Sequence, residues 1–233
     1  MPRSVKDPVA SNRANIDATL NVLEASRQSG VRRVIYAGSS SAYGDTPTLP
    51  KHEEMPPNPR SPYALQKLVG EQYGQMFTRL YGLETVAIRY FNVFGPRQDP
   101  TSAYSGVISQ FARALLEGRR PTIHGDGTQT RDFTYIDNVV DGVLRAGSAR
   151  DASGEVINVA TGHRISLLDL LAAMKRITGV DVEPIFAAPR AGDVRDSLAD
   201  ISKARRVLGY EPIVPFEAGL ATTIAWYRDS LSE

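Results

Sequence analysis

The 233-residue sequence contains no cysteine, which excludes disulfides, thiolate nucleophiles and cysteine-zinc sites. Its three histidines, His52, His124 and His163, are scattered along the chain and predict no metal site. No stretch is apolar enough to span a bilayer, and Met1-Pro2-Arg3-Ser4 leads into no signal-peptide core, so a soluble, cytoplasmic protein is expected. The formal net charge is only +1, with acids and bases interspersed, which argues against nucleic acid or an anionic membrane as partner. Lysine is scarce, 5 against 22 arginines. That excess suits bidentate phosphate contacts, and it follows as readily from GC-rich coding.

Among so few lysines, one stands in Ser61-Pro62-Tyr63-Ala64-Leu65-Gln66-Lys67. Ser61 and Pro62 read as a helix N-cap and first helical residue. Tyr63 and Lys67, four apart, then share a helix face. A lysine ammonium beside a phenol favours the phenolate, and a tyrosine so tuned is a usable general base. The plainer alternative is an amphipathic helix with Tyr63 in the core and Lys67 on its rim. Position favours the chemical reading. A helix over about 11–29, closed by Gly30, precedes a β-rich run at 31–37, and the serines Ser39, Ser40 and Ser41 follow at its carboxyl end. A proline-rich loop over 44–62 leads to the helix carrying Tyr63, which runs to about Tyr81 and stops at Gly82. A second strand, Glu84–Tyr90, ends in Phe91-Asn92-Val93-Phe94-Gly95-Pro96-Arg97. This β-α-β order means parallel strands, and ligands bind beyond the carboxyl ends of such strands.

The second half is more mixed. Helices are expected over about 105–116, 137–149, 166–179, 202–208 and 216–230, with strands at 121–124, 131–136, 155–160 and 182–186. Gly125-Asp126-Gly127 reads as a turn between the first two of these strands. The length allows one large or two small domains.

The serine run, Tyr63-x-x-x-Lys67 and Arg89-Tyr90-Phe91-Asn92-Val93-Phe94-Gly95-Pro96-Arg97 together resemble the extended short-chain dehydrogenase/reductase superfamily, and within it the NAD-dependent nucleotide-sugar epimerase/dehydratase family. Gly125-Asp126-Gly127-x-x-x-Arg131-Asp132-Phe133, Arg190-Ala191-Gly192-Asp193 and Asp200-Ile201-Ser202-Lys203-Ala204 extend the likeness over essentially the whole chain. The resemblance implies an α/β fold: a partial Rossmann-like parallel sheet plus a smaller mixed α/β substrate-binding domain. Residues 1–97 would form the C-terminal part of the NAD-binding domain. Residues 98–233 would mainly bind a UDP-sugar, with a stretch near 120–160 returning to the Rossmann sheet. Family members open with a Gly-x-x-Gly-x-x-Gly turn that holds the NAD diphosphate. No such triplet occurs here, so the chain is expected to begin after the family's fourth strand, without most of the adenosine site.

Carried over by motif position, the catalytic residues are Ser39, Tyr63 and Lys67. Tyr63 and Lys67 would also meet the nicotinamide ribose, with Tyr90 and Val93 lining the nicotinamide pocket or the core. Asn15 would stand near the active site or serve structure alone. Substrate contacts are expected from Asn92, Val107, Arg131, Arg190, Asp193 and Ser197, and from Ser40 and Ser41 unless these only shape the turn. Family dehydratases carry Asp-Glu where Ser40 and Ser41 stand, which disfavours dehydration. The small Ser197 leaves room for an acetamido group, and Asp99–Ile108 resembles the UDP-N-acetylglucosamine 4-epimerases. The resemblance therefore implies C4 epimerisation of UDP-GlcNAc and UDP-GalNAc with NAD as retained cofactor. Alternatives are a UDP-glucose or UDP-glucuronate 4-epimerase and, of another class, an inactive chain or UDP-sugar-binding module. A homodimer through helices 11–29 and 62–81 is also implied.

Overall fold

A computed structural model describes residues 2–99, 106–189 and 194–230. Helix comes first: α1 (Pro2–Lys6), α2 (Pro8–Asn12), a π-helical turn (Arg13–Asp17) and α3 (Ala18–Gln28) follow one another. The helical region thus begins before the expected residue 11. Two prolines and Asp7 explain this, because Asp7 caps α2 by accepting the Ala10 amide at 2.9 Å and Pro8 fills the first position.

Next come β1 (Arg33–Ser39), α4 (Pro62–Tyr81) and β2 (Glu84–Tyr90). Ser61 accepts the Ala64 amide at 3.2 Å, which is worth about 1 kcal/mol for such a cap. Gly82, at φ +72°, closes the C-terminal end of α4 in the left-handed region. β1 and β2 pair in parallel over their whole length, from Arg33 opposite Glu84 to Ser39 opposite Tyr90.

The chain continues through β3 (Val93–Phe94), α5 (Val107–Leu116), β4 (Thr122–His124), β5 (Thr130–Arg131), β6 (Thr134–Tyr135) and α6 (Ile136–Ser148). It ends with β7 (Val156–Val159), β8 (Ile165–Ser166), α7 (Leu167–Thr178), β9 (Ile185–Ala187), α8 (Ser202–Leu208) and α9 (Phe216–Ser230). β7 pairs in parallel with β2, so the main sheet has the order β1-β2-β7. β2 is central, and Thr85–Arg89 are buried, with Val86, Ala87 and Ile88 as its apolar centre.

The strand expected over 131–136 is broken into β5 and β6. The break lies at Asp132, whose buried carboxylate accepts the amides of Thr161, Gly162 and Ala199 and the Thr161 hydroxyl. A side chain committed to those partners cannot keep the pleat. Nor do the strands flanking the Gly125–Gly127 turn pair with each other. β4 pairs in parallel with β9, and β5 pairs antiparallel with β8.

Two cores result. One packs the sheet against α6 and α8 around Ile88, Ile157, Val159 and Tyr210. The other gathers Phe94, Phe111, Ile123, Leu170 and Tyr227 from α5, α7, α9 and the short strands. Leu23, Phe77 and Leu83 join α3 to α4. No helix among the described residues is long and apolar enough to cross a membrane.

Candidate active site

β1 and β2 end side by side, and both chain continuations turn into the same cleft. Its volume is about 290 Å³, and Ser39, Tyr63, Asn92, Arg131 and Ser197 all line it. Five elements meet here because the parallel register sets Ser39 beside Tyr90 while the crossover helix α4 starts directly above them.

Ser39 ends β1 in extended conformation and caps a 3-10 turn over Ser40–Tyr43. Its Oγ accepts the Ser41 amide at 3.2 Å and the Ser41 hydroxyl at 2.8 Å. Both lone pairs are then in use, so the Ser39 proton is the part left for a ligand.

Tyr63 is half-buried in the first turn of α4, and its amide donates to Ser4 Oγ at 3.2 Å. One turn on, the Lys67 ammonium donates to the Ala37 carbonyl at 2.9 Å. It stands 5.9 Å from the Tyr63 ring centre and 5.2 Å from that of Tyr36. Burial pulls the Lys67 ammonium below the ordinary lysine range, and the Glu71 carboxylate partly offsets this.

Asn92 follows β2 with φ +34°, a conformation asparagine tolerates better than most residues. Its carbonyl accepts the Thr134 amide at 3.3 Å. Its amide nitrogen donates to the Asp132 carbonyl at 3.0 Å and to Ser197 Oγ at 2.9 Å. Arg131 donates to the carbonyls of Thr130 and Arg195 at 2.9 and 2.7 Å. It lies where the first cleft meets two others, of about 220 and 540 Å³. Arg131 thus lines all three cavities.

The expected residues sort clearly. Ser39, Ser40, Ser41, Tyr63, Tyr90, Asn92, Arg131 and Ser197 share the first cleft. Val93 and Val107 line the 220 Å³ cavity instead. Lys67 sits behind Tyr63 on the β1 carbonyl. Asn15 is in the π-helical turn, where it donates to Gln66 Oε1 at 3.1 Å and to the Ser11 carbonyl at 2.9 Å, so it ties the α2–α3 region to α4. Arg190 and Asp193 lie outside the described residues. Among the described residues, no group of three or more His, Asp or Glu side chains could hold a metal ion.

Sequence reasoning missed several lining residues. Lys51, only 2 % exposed, joins the 44–61 loop to the Ser197 segment by exchanging backbone hydrogen bonds with Leu198 and Asp200 at 2.7 and 2.8 Å. Asp196 accepts the Thr130 amide and hydroxyl at 3.0 and 2.6 Å. Both contacts are long-range, so no local spacing signals them. Glu71 had a visible signal, one turn beyond Lys67. It forms a buried ion pair with Arg89 on β2 at 2.8 Å.

Comparison with known proteins places this arrangement in context. A family model described as "NAD dependent epimerase/dehydratase family" matches residues 1–160. A UDP-glucose 4-epimerase from Mycolicibacterium smegmatis is 43% identical over 228 residues, covering 97% of this chain and 72% of the relative. The crystal structure of a UDP-glucose 4-epimerase with UDP-glucose, from Thermotoga maritima, superposes with a TM-score of 0.95 at 39% identity, covering 99% of this chain and 74% of that one. A UDP-N-acetylglucosamine 4-epimerase from Methanobrevibacter ruminantium, in complex with UDP-N-acetylmuramic acid, gives 0.95 at 38% identity, covering 98% and 73%.

Proposed function

The chain belongs to the NAD dependent epimerase/dehydratase family, and from that premise we propose that it inverts C4 of a UDP-sugar, with UDP-N-acetylglucosamine and UDP-N-acetylgalactosamine as its substrate pair. One observation carries this reading: Ser39, Tyr63, Asn92, Arg131 and Ser197, far apart in sequence, line one cleft at the carboxyl ends of two parallel strands.

The residues present fit the nicotinamide-ribose end of NAD. Lys67 spends one of its three N–H groups on Ala37, and hydroxyls of a ribose suit the other two. When bound, NAD accepts the C4 hydride and returns it to the opposite face of the sugar. The chain's own groups do the rest. Tyr63, as phenolate, takes the proton from O4. Ser39 donates to the same oxygen and is itself held by Ser41. Asn92 fixes its side of the cleft through its bonds to Asp132 and Ser197, and Arg131 holds the diphosphate while the 4-keto sugar turns over. Arginine suits that task because its planar fork meets phosphate oxygens in pairs.

The substrate reading rests on Ser197. Its side chain is small, it lines the first cleft with Tyr63, and Asn92 fixes its hydroxyl. That leaves space and a hydrogen-bonding group for an acetamido substituent. The face of α3 and α4 bearing exposed Val22, Met76, Leu80 and Tyr81 supports a homodimer through these helices.

The test is proton NMR of UDP-N-acetylglucosamine, UDP-glucose and UDP-glucuronate incubated with the purified chain and NAD. New anomeric signals for the C4 epimer of the acetylated sugar are expected first. Conversion of UDP-glucose alone would overturn the substrate reading, and conversion of none, with NAD bound, would overturn the activity.

A further inference from the structure

We propose that Glu71 is a positioning residue of the reaction centre: its carboxylate, clamped by Arg89, fixes the end of β1 so that the Ser39 hydroxyl faces the cleft while the Lys67 ammonium is held behind Tyr63. The inference rests on the reading of Ser39, Tyr63 and Lys67 given above.

The geometry is specific. Arg89 Nε donates to both Glu71 oxygens at 3.2 and 3.1 Å, and Arg89 Nη2 donates at 2.8 Å. The two side chains are only 1% and 6% exposed. Burying two charges beside the sheet carries a large desolvation cost, and an apolar pair of similar volume would fill the same space at less cost. The carboxylate has contacts an apolar side chain cannot make. Its electrostatic partners are the Ser39 amide and the Lys67 ammonium, both of which favour the carboxylate. The strand yields to it at Gly38, where a Cβ would stand 2.9 Å from Glu71 Oε1 and 2.9 Å from the Ile88 carbonyl. Lys67 meanwhile holds the carbonyl of Ala37. The stretch leading to Ser39 is therefore held by two α4 side chains one turn apart, Lys67 bonded to the Ala37 carbonyl and Glu71 packed on Gly38.

The surrounding charges agree. Burial pushes the Glu71 carboxyl up, and Arg89, the Ser39 amide and Lys67 draw it back. Burial opposes the Arg89 charge, but its bonds to Glu71 and the carboxylate field outweigh this and raise it. Arg89 also lies 4.5 Å over the Tyr43 ring, in the turn that begins at Ser39. Tyr36 from β1 and Tyr63 from α4 complete the groups that face Lys67.

The experiment compares wild type, Glu71→Gln and the double variant Glu71→Leu/Arg89→Met in the full chain with NAD and UDP-sugar. The double variant removes both buried charges, so it keeps the question open if Glu71→Gln leaves Arg89 unpaired and unfolds. The expected result is a fall in kcat of at least about tenfold with KM for the UDP-sugar nearly unchanged. Alongside it, nitrogen-15 NMR should show the Ser39 amide signal shifted and the Lys67 ammonium titrating at lower pH. A folded double variant with wild-type kcat, Ser39 amide signal and Lys67 titration would overturn the proposal. If no variant turns over, the two NMR readouts decide it by themselves. Tyr63→Phe separates the two levels: retained turnover there defeats the assigned reaction centre, whereas its loss beside unaffected Glu71 variants defeats only the role of Glu71.

Discussion

Lys67 and Glu71 lie one turn apart on α4 and hold the same strand end by opposite charges. The ammonium donates to the Ala37 carbonyl at 2.9 Å, and the carboxylate packs on Gly38, where a Cβ would stand 2.9 Å from its Oε1. A parallel β-α-β unit supplies this geometry directly, since the crossover helix must lie across the strand it leaves. A single helix face thus carries the phenol, the ammonium and the carboxylate, and its N-terminal turn opens on the cleft.

Tyr63→Phe is the most direct test of the proton-transfer role. Removing a general base costs about 10²–10⁴-fold in rate. Turnover should fall within that range while UDP affinity, measured by calorimetry, stays close to wild type. A variant with ordinary turnover would move the proton transfer to another group.

Ser197→Tyr should redirect the sugar preference. A phenol ring in place of the Ser197 hydroxyl fills the space beside the sugar C2 substituent, and it also removes the bond from Asn92. Loss of that bond affects all substrates alike, so the informative quantity is a ratio. The kcat/KM for UDP-N-acetylglucosamine should fall about 10–200-fold relative to UDP-glucose, the scale of steric discrimination in a pocket. An unchanged ratio would mean that Ser197 does not face the acetamido group.

How far the sequence alone reached depended on whether the determining contacts were local. Ser61, Pro62 and Gly82 mark both ends of α4, and the buried run of β2 marks its own limits, because caps and strand patterns act over a few residues. The break at Asp132 was invisible. Its cause lies in amides at 161, 162 and 199, which only the folded chain brings near. The same holds for Arg89, an ordinary strand residue until Glu71 lies over it. The proposed catalytic set rests on motif positions, whereas the bond from Asn92 to Ser197 spans the two halves of the chain and had no local signature.

Two glycine substitutions should act with opposite sign. Gly70→Ala adds helix propensity worth about 1 kcal/mol. Its new Cβ, however, would stand 2.2 Å from the Tyr36 hydroxyl and 2.3 Å from the ring carbon bearing it. Overpacking of this kind costs about 1–3 kcal/mol, so the variant should be less stable. Gly147→Ala, near the end of α6, meets nothing within 4 Å and has no positive φ. It should gain up to about 1 kcal/mol. Urea denaturation of both variants checks the pair, and a stabilised Gly70→Ala would mean that α4 sits further from β1 than the structure shows.

Alkaline pH should weaken the fold through two buried phenols. Burial pushes Tyr36 up to about 12, with Glu71 adding to the shift. Burial likewise pushes Tyr43 up to about 12, against the pull of Arg89 and of its bond to Asn158. A phenol whose folded pKa lies above its unfolded value holds its proton more firmly in the folded chain. Its contribution is complete below the ordinary value of 10.0 and is lost as pH rises through about 12. Denaturant midpoints should therefore decline over that window, and phenolate absorbance should show Tyr36 and Tyr43 among the tyrosines that ionise late in the folded chain. Tyr43→Phe removes one of these groups, so its midpoint should start lower, for want of the 2.8 Å bond to Asn158, and then fall less steeply with pH. A slope equal to wild type would place the alkaline transition elsewhere than at this tyrosine beside Arg89.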